Sequence, residues 1–380
     1  MRLLLFDEAF LGHHAIWMEE ILRAVAEVAP EHELLYAFPH AVEAVGTHIE
    51  WREPKWHHVL RKVQRWTGRP WLAAAKWRAI RKLAKQARAD RVLLLYADEF
   101  LHPGYRPAVA FDWVPIYFHP RFLRGDSAAP PLATLASSGC PFVYVLDAGV
   151  VEALSAVLHK PVVRIPDFCP AASRRETARC DAVRSAAAGR PVIGAIGPVT
   201  RHKNVGTLLR IAKQRQDWHF LIAGVVFPKA LSAEERSLLA EATRMTNVSL
   251  VPEYLPHDEL NALTAMCDVQ YAAYTNFLHS SNKLVRACEY RKPLVVADNG
   301  CMAEMVRLYG LGETCDPKSD ASVVEALAAC LNPRFPSPDW QGYMARNSLD
   351  RLRVAMGPFA APKAGEAAAA MTALDLKEPK

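Results

Sequence analysis

The chain has 380 residues, which is too long for one ordinary hydrophobic core and predicts two domains. Its residues are 51% apolar and 23% charged, which excludes a disordered chain and is typical of a soluble globular protein. No apolar run approaches the ~20 residues that a membrane-spanning helix needs. The first six residues lead directly into Asp7 and Glu8, so they predict a strand rather than a secretory signal.

The first half of the chain alternates segments of strand and helix character. Apolar residues recur at helical spacing after the first strand, at Trp17, Ile21 and Val25. Strands that alternate with helices predict an α/β fold with a mostly parallel sheet. Short runs rich in β-branched and aromatic residues predict the strands at 2–6, 33–37, 92–96, 114–118, 142–146 and 162–165.

The second half begins after a stretch rich in Ala, Arg, Ser and Pro, which we interpret as a linker. Further strands are predicted at 192–196, 220–223, 248–251, 269–273 and 294–297. Two doubly wound domains joined by one linker predict a cleft where ligands bind. The predicted divisions are an N-terminal domain at 1–166, a linker at 167–190, a C-terminal domain at 191–340, a closing helix at 341–357 and a flexible tail at 358–380.

The eight cysteines form no CxxC pair and no clustered Cys/His spacing, so no structural zinc is expected. Several lie in apolar segments, where a free thiol behaves as a small hydrophobic side chain. These features predict a protein of the reducing cytoplasm.

The segment from Ser280 to Gly300 combines a polar turn, the basic residue Lys283, a short helix, a Pro-led strand and a glycine turn. Free N–H groups at the start of a helix, beside an ammonium, favour an anion. A strand that ends in glycine places a ligand crevice at the carboxyl edge of a sheet. This pattern predicts a nucleotide diphosphate bound to a doubly wound domain.

Five such patterns follow one another in the second domain, and together they resemble a known family. They are Ile196–Asn204, Phe220–Gly224, Leu255–Leu260, Cys267–Val269 and the Ser280–Gly300 segment with Glu304. In this order they resemble the donor-binding domain of the GT-B glycosyltransferases, in particular the group-one, glycogen-synthase-like family. The resemblance covers residues 191–306 well and the first domain only in outline.

The resemblance implies a GT-B architecture, in which two Rossmann-like domains face a cleft. It implies that Lys203 contacts the donor diphosphate, although a solvated lysine is the ordinary alternative. Glu289 is expected either to reach a ribose or to pair with Arg286. Ser280, Ser281 and Asn282 are also good helix caps, and both roles are compatible. The residues assigned to the donor are Gly12, His13, Gly197, Lys203, Leu255, Ser280, Ser281, Asn282, Lys283, Glu289 and Glu304.

The chain departs from the family pattern at three positions within these segments. Pro198 stands where the family has an arginine, and Leu278 and Arg286 stand where it has two glutamates. Lys283 is a candidate to replace the lost positive charge. These departures leave open both inversion of the anomeric configuration and loss of catalysis.

The first domain is expected to bind the acceptor and to supply catalytic groups. His119 follows a predicted strand and matches a family histidine near the donor sugar. Asp98 and Glu99 are the candidate general bases for an inverting reaction. Asp147 is predicted to cap a helix. The chain contains no Asp-x-Asp sequence, so we expect no metal and no cofactor.

Residues 51–88, here called the Trp-rich segment, contain twelve Lys/Arg against one acid, Glu53, and five of the nine tryptophans. The rest of the chain is net acidic, with 34 Lys/Arg against 39 Asp/Glu, so the basic character is local. Basic Trp-containing segments lie in the headgroup layer of anionic membranes, where each basic side chain contributes ~1 kcal/mol. We therefore expect an anionic membrane surface as a partner. A solvated helix pair with buried Trp is the alternative, and nucleic acid is not expected.

Together these features predict a metal-independent glycosyltransferase that uses a UDP- or GDP-linked sugar. The expected acceptor is a saccharide or lipid-linked saccharide of cell-envelope or exopolysaccharide synthesis, and the expected location is the inner face of the cell membrane. Retention of the anomeric configuration is predicted. An inverting exopolysaccharide-type enzyme and a catalytically impaired GT-B binding or scaffold protein are the alternatives.

Overall fold

The structure is a computed structural model that describes residues 1–9, 14–125, 129–169 and 173–361. The strands are β1 Arg2–Phe6, β2 Glu33–Phe38, β3 Thr47–Glu50, β4 Arg91–Leu94, β5 Asp112–Tyr117, β6 Val143–Val145, β7 Val162–Arg164, β8 Val192–Ile196, β9 His219–Ala223, β10 Val248–Val251, β11 Val269–Ala272, β12 Leu294–Ala297 and β13 Gly312–Cys315.

Helices connect and flank these strands. They are α1 His14–Val28, α2 His57–Thr67, α3 Trp71–Ala87, α4 Leu132–Leu135, α5 Val151–Leu158, α6 Ala178–Ala187, α7 Val205–Gln214, α8 Ala233–Ala242, α9 His257–Met266, α10 Asn282–Glu289, α11 Gly300–Tyr309, α12 Asp320–Leu331, α13 Trp340–Arg346 and α14 Leu349–Ala360. In the part of the chain that the structure describes, no helix is long and apolar enough to cross a membrane.

The strands form two parallel sheets, each in its own compact unit. The first sheet has the order β3-β2-β1-β4-β5-β6-β7 and the second the order β10-β9-β8-β11-β12-β13. In each, the chain starts in the middle, winds to one edge and then returns to build the other, which is the doubly wound Rossmann pattern. The predicted α/β class with two Rossmann-like domains is therefore confirmed. The direction of winding changes between β1 and β4, and again between β8 and β11.

Two strands have no counterpart among the sequence predictions. β3 has the sequence Thr-His-Ile-Glu, and β13 has the sequence Gly-Glu-Thr-Cys. Each lies at the edge of its sheet, where one side of the strand has no neighbour. An edge strand need not be apolar, so it leaves no hydrophobic run in the sequence.

The connection between the units differs from the predicted linker. Residues 178–187 of that stretch form α6, which buries Cys180 and Val183 in a core cluster with Leu263 of α9. This helix belongs to the second unit, whose last residue is Asn347. The predicted linker is thus partly helical, and its Ala-rich composition was that of a helix.

The predicted closing helix is two helices, α13 and α14, separated at Asn347 and Ser348. Ser348 caps α14 by accepting a hydrogen bond from the N–H of Arg351 at 3.2 Å. Residues 348–361 pack on the first unit, where Leu352, Met356 and Phe359 are completely buried. The prediction of a flexible tail from residue 358 is therefore wrong for residues 358–360. The prediction for residues 362–380 lies outside the described residues.

The end of α14 is held by a buried arginine of β4. Nη1 of Arg91 donates to the carbonyl oxygens of Phe359 at 2.7 Å and Ala361 at 2.8 Å. These carbonyls have no partner within the helix, so the guanidinium satisfies them and favours the negative end of the helix dipole.

Candidate functional site

The glycine turn after β8 is confirmed, and it depends on a close contact between two strand ends. Gly197 has φ +124° and Gly224, after β9, has φ +138°. A Cβ atom on Gly224 would lie 2.3 Å from the carbonyl oxygen of Gly197. The positive φ angles of Gly197 and Gly224 and the close contact at Gly224 all disfavour a side chain. Glycine is therefore required at both positions to shape the carboxyl edge of the second sheet.

Lys203 lies in the short 3₁₀ turn that follows, with its ammonium over aromatic rings. Nζ of Lys203 is 3.8 Å from the ring centroid of Tyr274 and 5.9 Å from that of Phe277. The N–H of Thr275 donates to the carbonyl oxygen of His202 at 2.9 Å, which fastens the turn to the segment after β11. Cation–π attraction and this hydrogen bond together fix the ammonium at the switch point between β8 and β11.

Lys283 approaches the same edge from α10. Ser281 caps this helix and accepts from the N–H of Lys283 at 3.4 Å. The side chain of Lys283 runs inward, and its Nζ donates to the carbonyl oxygen of Ile196, the last residue of β8, at 3.3 Å. Only 8% of the residue is exposed.

Burial changes the protonation of Lys283. Loss of hydration, opposed by Cys267 and reinforced by the cationic Arg286 and Lys203, lowers its pKa to about 7. Among the described residues this ammonium has one hydrogen-bond partner, a carbonyl, and no carboxylate beside it. An anionic ligand would supply the counter-charge.

The end of the Ser280–Gly300 segment follows the predicted order of helix, strand and glycine. Gly300 has φ +75°, and a Cβ there would lie 2.7 Å from the Cα of Leu278. The N–H of Cys301 donates to the carbonyl oxygen of Leu278 at 3.1 Å. The backbone at Leu278 is thus packed directly against the start of α11, so a glycine is required at position 300.

The remaining donor candidates of the second unit differ in their surroundings. Leu255 is buried with Ile196 and Val251, so its side chain serves the core. Glu304 is half-buried in α11. The carboxyl group of Glu289 is exposed, and within the described ranges no ion pair joins it to Arg286, which instead donates to Asn282 at 3.4 Å.

The first unit has a cavity of about 810 Å³ at the carboxyl edge of its sheet, here called the first-unit cavity. It lies at the switch point between β1 and β4, where doubly wound folds bind ligands. Its lining is rich in charged and imidazole side chains: Asp7, Glu8, His14, His40, Arg52, Glu53, Arg61, Asp98, Glu99 and His119.

The structure brings His119 and Asp98 together in this cavity, as their positions after β5 and β4 suggested. Nδ1 of His119 is 2.9 Å from Oδ1 of Asp98. The same carboxylate accepts from the backbone N–H groups of His119 at 2.9 Å and Phe118 at 3.2 Å. Asp98 therefore orients the imidazole ring. Gly12 and His13 lie outside the described residues.

Glu99 has a different environment from Asp98. It accepts from Arg61 at 2.7 and 2.6 Å and from Lys76 at 2.6 Å. Burial alone would raise its pKa, but these two cations outweigh it and lower the pKa of Glu99 to about 2. A carboxylate held in this way is a poor proton acceptor at neutral pH, so Glu99 is ill suited to act as a general base.

Lys76 of α3 is the centre of a buried charge network that the sequence analysis did not anticipate. The residue is 1% exposed, and its ammonium contacts Glu8 and Glu99 and lies 3.5 Å from Glu53. Burial raises the pKa of Glu8 to about 7, although Lys76 opposes the shift. Ligand atoms of Glu8, Glu53 and His57 lie within 4.8 Å of one another, a grouping that could hold a metal. The ammonium of Lys76 already neutralises this group, so we assign no metal to it.

Asp7 and His14 are further cavity residues that the sequence analysis missed. Nδ1 of His14 lies 2.7 Å from Oδ2 of Asp7, and its ring stacks on Tyr96 with centroids 3.8 Å apart. The available signal was position, because Asp7 and Glu8 follow β1 as Asp98 and Glu99 follow β4. Asp147, by contrast, caps the turn before α5 as predicted, accepting from the N–H of Gly149 at 3.0 Å.

Comparisons with known proteins agree with this architecture. Sucrose-phosphate synthase from Thermosynechococcus elongatus is similar at 13% identity and TM-score 0.65, covering 94% of this chain and 98% of that one. Trehalose 6-phosphate synthase from Burkholderia multivorans has 12% identity and TM-score 0.65, with 100% and 99% covered. Anabaena HepE, solved in complex with UDP and glucose, has 13% identity and TM-score 0.61, with 93% and 97% covered. No curated protein matches the sequence significantly.

The fold of the chain is that of these solved glycosyltransferases, the two-domain GT-B architecture. Residues 181–347, all within the second unit, match the family model of the group 1 glycosyl transferases. The match spans the glycine turn, Lys203 and the Ser280–Gly300 segment.

The buried network predicts a strong effect for Lys76→Met. The substitution leaves Glu8 and Glu99 near each other without their shared cation, which should lower the free energy of unfolding by about 3–5 kcal/mol. Urea denaturation measures the change. Lys82→Met, at an exposed position of the same helix, is the matched control and should remain within about 0.5 kcal/mol of the unsubstituted protein. Equal effects of the two substitutions would contradict the network.

Lys283→Met should stabilise the fold in a pH-dependent way. The pKa of Lys283 is about 7 in the folded chain and 10.5 ordinarily, so the unfolded chain binds more protons between these values. The stability of the unsubstituted protein should therefore rise with pH across this window. The advantage of Lys283→Met should be a few kcal/mol below pH ~7 and should shrink toward pH ~10.5. Thermal unfolding at several pH values tests this, with the exposed Lys229→Met as control; an unchanged difference at every pH would contradict the depressed pKa.

Proposed function

We propose that this chain transfers a sugar from a UDP- or GDP-linked donor to a saccharide or lipid-linked saccharide, without a metal and with retention of the anomeric configuration. The observation that carries the proposal is the convergence of Lys203, Lys283 and the start of α10 on the switch point of the second sheet. This is a site for an anion with more than one charge.

The donor diphosphate would take the place of the missing counter-charge beside Lys283. As the bond to the sugar breaks, negative charge grows on the departing diphosphate, and the two ammonium groups and the N–H groups of α10 would stabilise it. Because the pKa of Lys283 is about 7, binding of the anion would favour its protonated form. Lys203 and Lys283 would thus perform the neutralisation that a bound metal performs in other transferases. HepE, solved with UDP and glucose, supports this choice of ligand class.

The acceptor would bind in the first-unit cavity. Its volume of about 810 Å³ lies within the ~300–1,000 Å³ usual for small-molecule sites. Carboxylates and guanidinium groups along its wall can accept from and donate to sugar hydroxyls. His119, oriented by Asp98, would contact the reacting sugar. An acceptor carried on a lipid would place the enzyme at the inner face of the cell membrane, in cell-envelope or exopolysaccharide synthesis.

Thermal-shift screening with UDP, GDP, ADP and their common sugars tests the donor. At least one nucleotide at millimolar concentration should raise the melting temperature, since a ligand that binds only the folded state stabilises it. Lys203→Ala should abolish most of that shift and lower turnover about 100-fold or more, by analogy with removing one transition-state donor. Lys229→Ala, an exposed lysine of the same unit, should change neither. Absence of a shift with every nucleotide would refute the proposal, and a shift without turnover on broad acceptor mixtures would indicate a binding protein.

An inverting transferase is the second candidate, and the Asp98–His119 pair favours it. A histidine held by a carboxylate can remove the proton from an attacking hydroxyl, while Leu278 and Arg286 replace the two family glutamates. Anomeric analysis of the product by NMR decides between the two. Inversion together with loss of activity in Asp98→Asn would establish the second candidate in place of the first.

A further inference from the structure

Helix α2 presents an apolar ridge to solvent. Trp56, just before the helix, and Val59, Val63 and Trp66 follow the spacing that aligns side chains on one helix face. Trp66 is 89% exposed, Val59 58% and Trp56 53%. Trp71, at the start of α3, adds a fourth exposed apolar side chain beside the turn at Gly68. Large apolar residues so close together on a surface indicate an interaction site.

The segment that contains this ridge also carries many exposed basic side chains. Ten of the twelve Lys/Arg of the Trp-rich segment are exposed; they are Arg52, Lys55, Lys62, Arg65, Arg69, Arg78, Arg81, Lys82, Lys85 and Arg88. The only acid of the segment, Glu53, is half-buried and accepts from Arg61 at 2.8 Å. All the exposed charged side chains of the Trp-rich segment are therefore basic.

The structure also shows which part of the Trp-rich segment does not face outward. Trp77 is completely buried and donates to the carbonyl oxygen of Phe100 at 2.9 Å, and Trp51 packs edge-on against Phe6. Lys76 and Arg61 are engaged in the charge network. These residues therefore do not face outward. The outward set, here called the α2–α3 face, is Trp56, Val59, Trp66, Trp71, the half-buried Val63 and the nine exposed cations other than Arg52, which lines the first-unit cavity.

We propose that the α2–α3 face docks on an anionic lipid bilayer, with the tryptophans in the headgroup layer and the cations against lipid phosphates. Tryptophan prefers the interface between water and hydrocarbon, and clustered Lys/Arg supply the attraction to anionic lipids. A nucleic acid would satisfy the cations. It would leave Val59 and Val63 in water, because only planar side chains stack on bases.

The location of α2 links this face to the first-unit cavity. Arg61 lies on the inward side of the helix that carries Trp66, and Arg61, Arg52 and Glu53 line the cavity. A bilayer on the outer side of α2 would thus lie about one helix diameter, ~10 Å, from the cavity wall. The polar headgroup of a membrane-anchored acceptor can reach the cavity over this distance while its lipid stays in the bilayer. Only this link to the acceptor depends on the proposed function.

Sedimentation of the full chain with vesicles tests the docking. Binding to vesicles of phosphatidylcholine mixed with phosphatidylglycerol should exceed binding to pure phosphatidylcholine at least tenfold and should weaken with added salt. Trp66→Ala should reduce the partition coefficient about tenfold, and Lys62→Glu with Arg65→Glu by at least as much. Leu308→Ala, which removes an exposed apolar side chain of the second unit, and Lys229→Glu are the matched controls and should bind as the unsubstituted chain does.

Melting temperatures establish that each variant is folded. Equal binding to both kinds of vesicle, or no effect of the α2–α3 substitutions, would overturn the inference. Tighter binding to single-stranded oligonucleotides, weakened by the same substitutions, would replace the bilayer by nucleic acid. Nucleotide-induced thermal shifts, measured on the same variants, separate the two proposals, because vesicle binding without any nucleotide shift would remove the donor scheme and leave the docking face in place.

Discussion

Parallel pairing of the strands in the described residues governs where polar chemistry can occur in this chain. A parallel sheet is covered by helices on both faces, so its strands are apolar on both sides. Leu3, Leu4 and Leu5 of β1, for example, are all completely buried. Polar side chains therefore concentrate where strands end, and the change of winding direction opens space there. Both the first-unit cavity and the Lys203–Lys283 region follow from this one constraint.

Each unit carries a buried lysine near such an edge, and the two have opposite electrostatic surroundings. Burial would lower the pKa of Lys76, but the carboxylates of Glu8 and Glu99 outweigh it and raise the pKa. In the described parts of the chain Lys283 has a single carbonyl partner, and burial lowers its pKa to about 7. The first lysine therefore completes an internal ion network. The second has no anionic partner among the described residues, so a bound anion would have to supply its counter-charge. The same residue type thus serves structure in one unit and, in the proposed function, ligand binding in the other.

Much of the fold was predictable because a short continuous run of apolar residues indicates a strand that is buried on both faces. The predicted strands at 192–196 and 294–297 coincide with β8 and β12, whereas the polar edge strands β3 and β13 gave no signal. The positions of Lys203 and Lys283 at the carboxyl edge of the second sheet were predictable from motifs along the chain. The network around Lys76 was not, because its partners Glu8, Glu53 and Glu99 come from three different strand ends. Likewise, the sequence did not distinguish buried Trp77 of α3 from exposed Trp66 of α2. Both lie in basic helical segments, and only the packing of each helix decides which of its side chains is buried.

Helix α14 has a consequence for the biogenesis of the chain. Its residues Leu352, Met356 and Phe359 complete the core that α1 and β1 begin, and Tyr144 donates to the carbonyl oxygen of Ala355 at 2.6 Å. The first unit therefore remains without its last helix until the ribosome has synthesised the entire second unit. The second unit, which is continuous in sequence, can finish folding earlier than the unit that precedes it. The core of the second unit can thus close before that of the first, although synthesis of the first unit begins earlier.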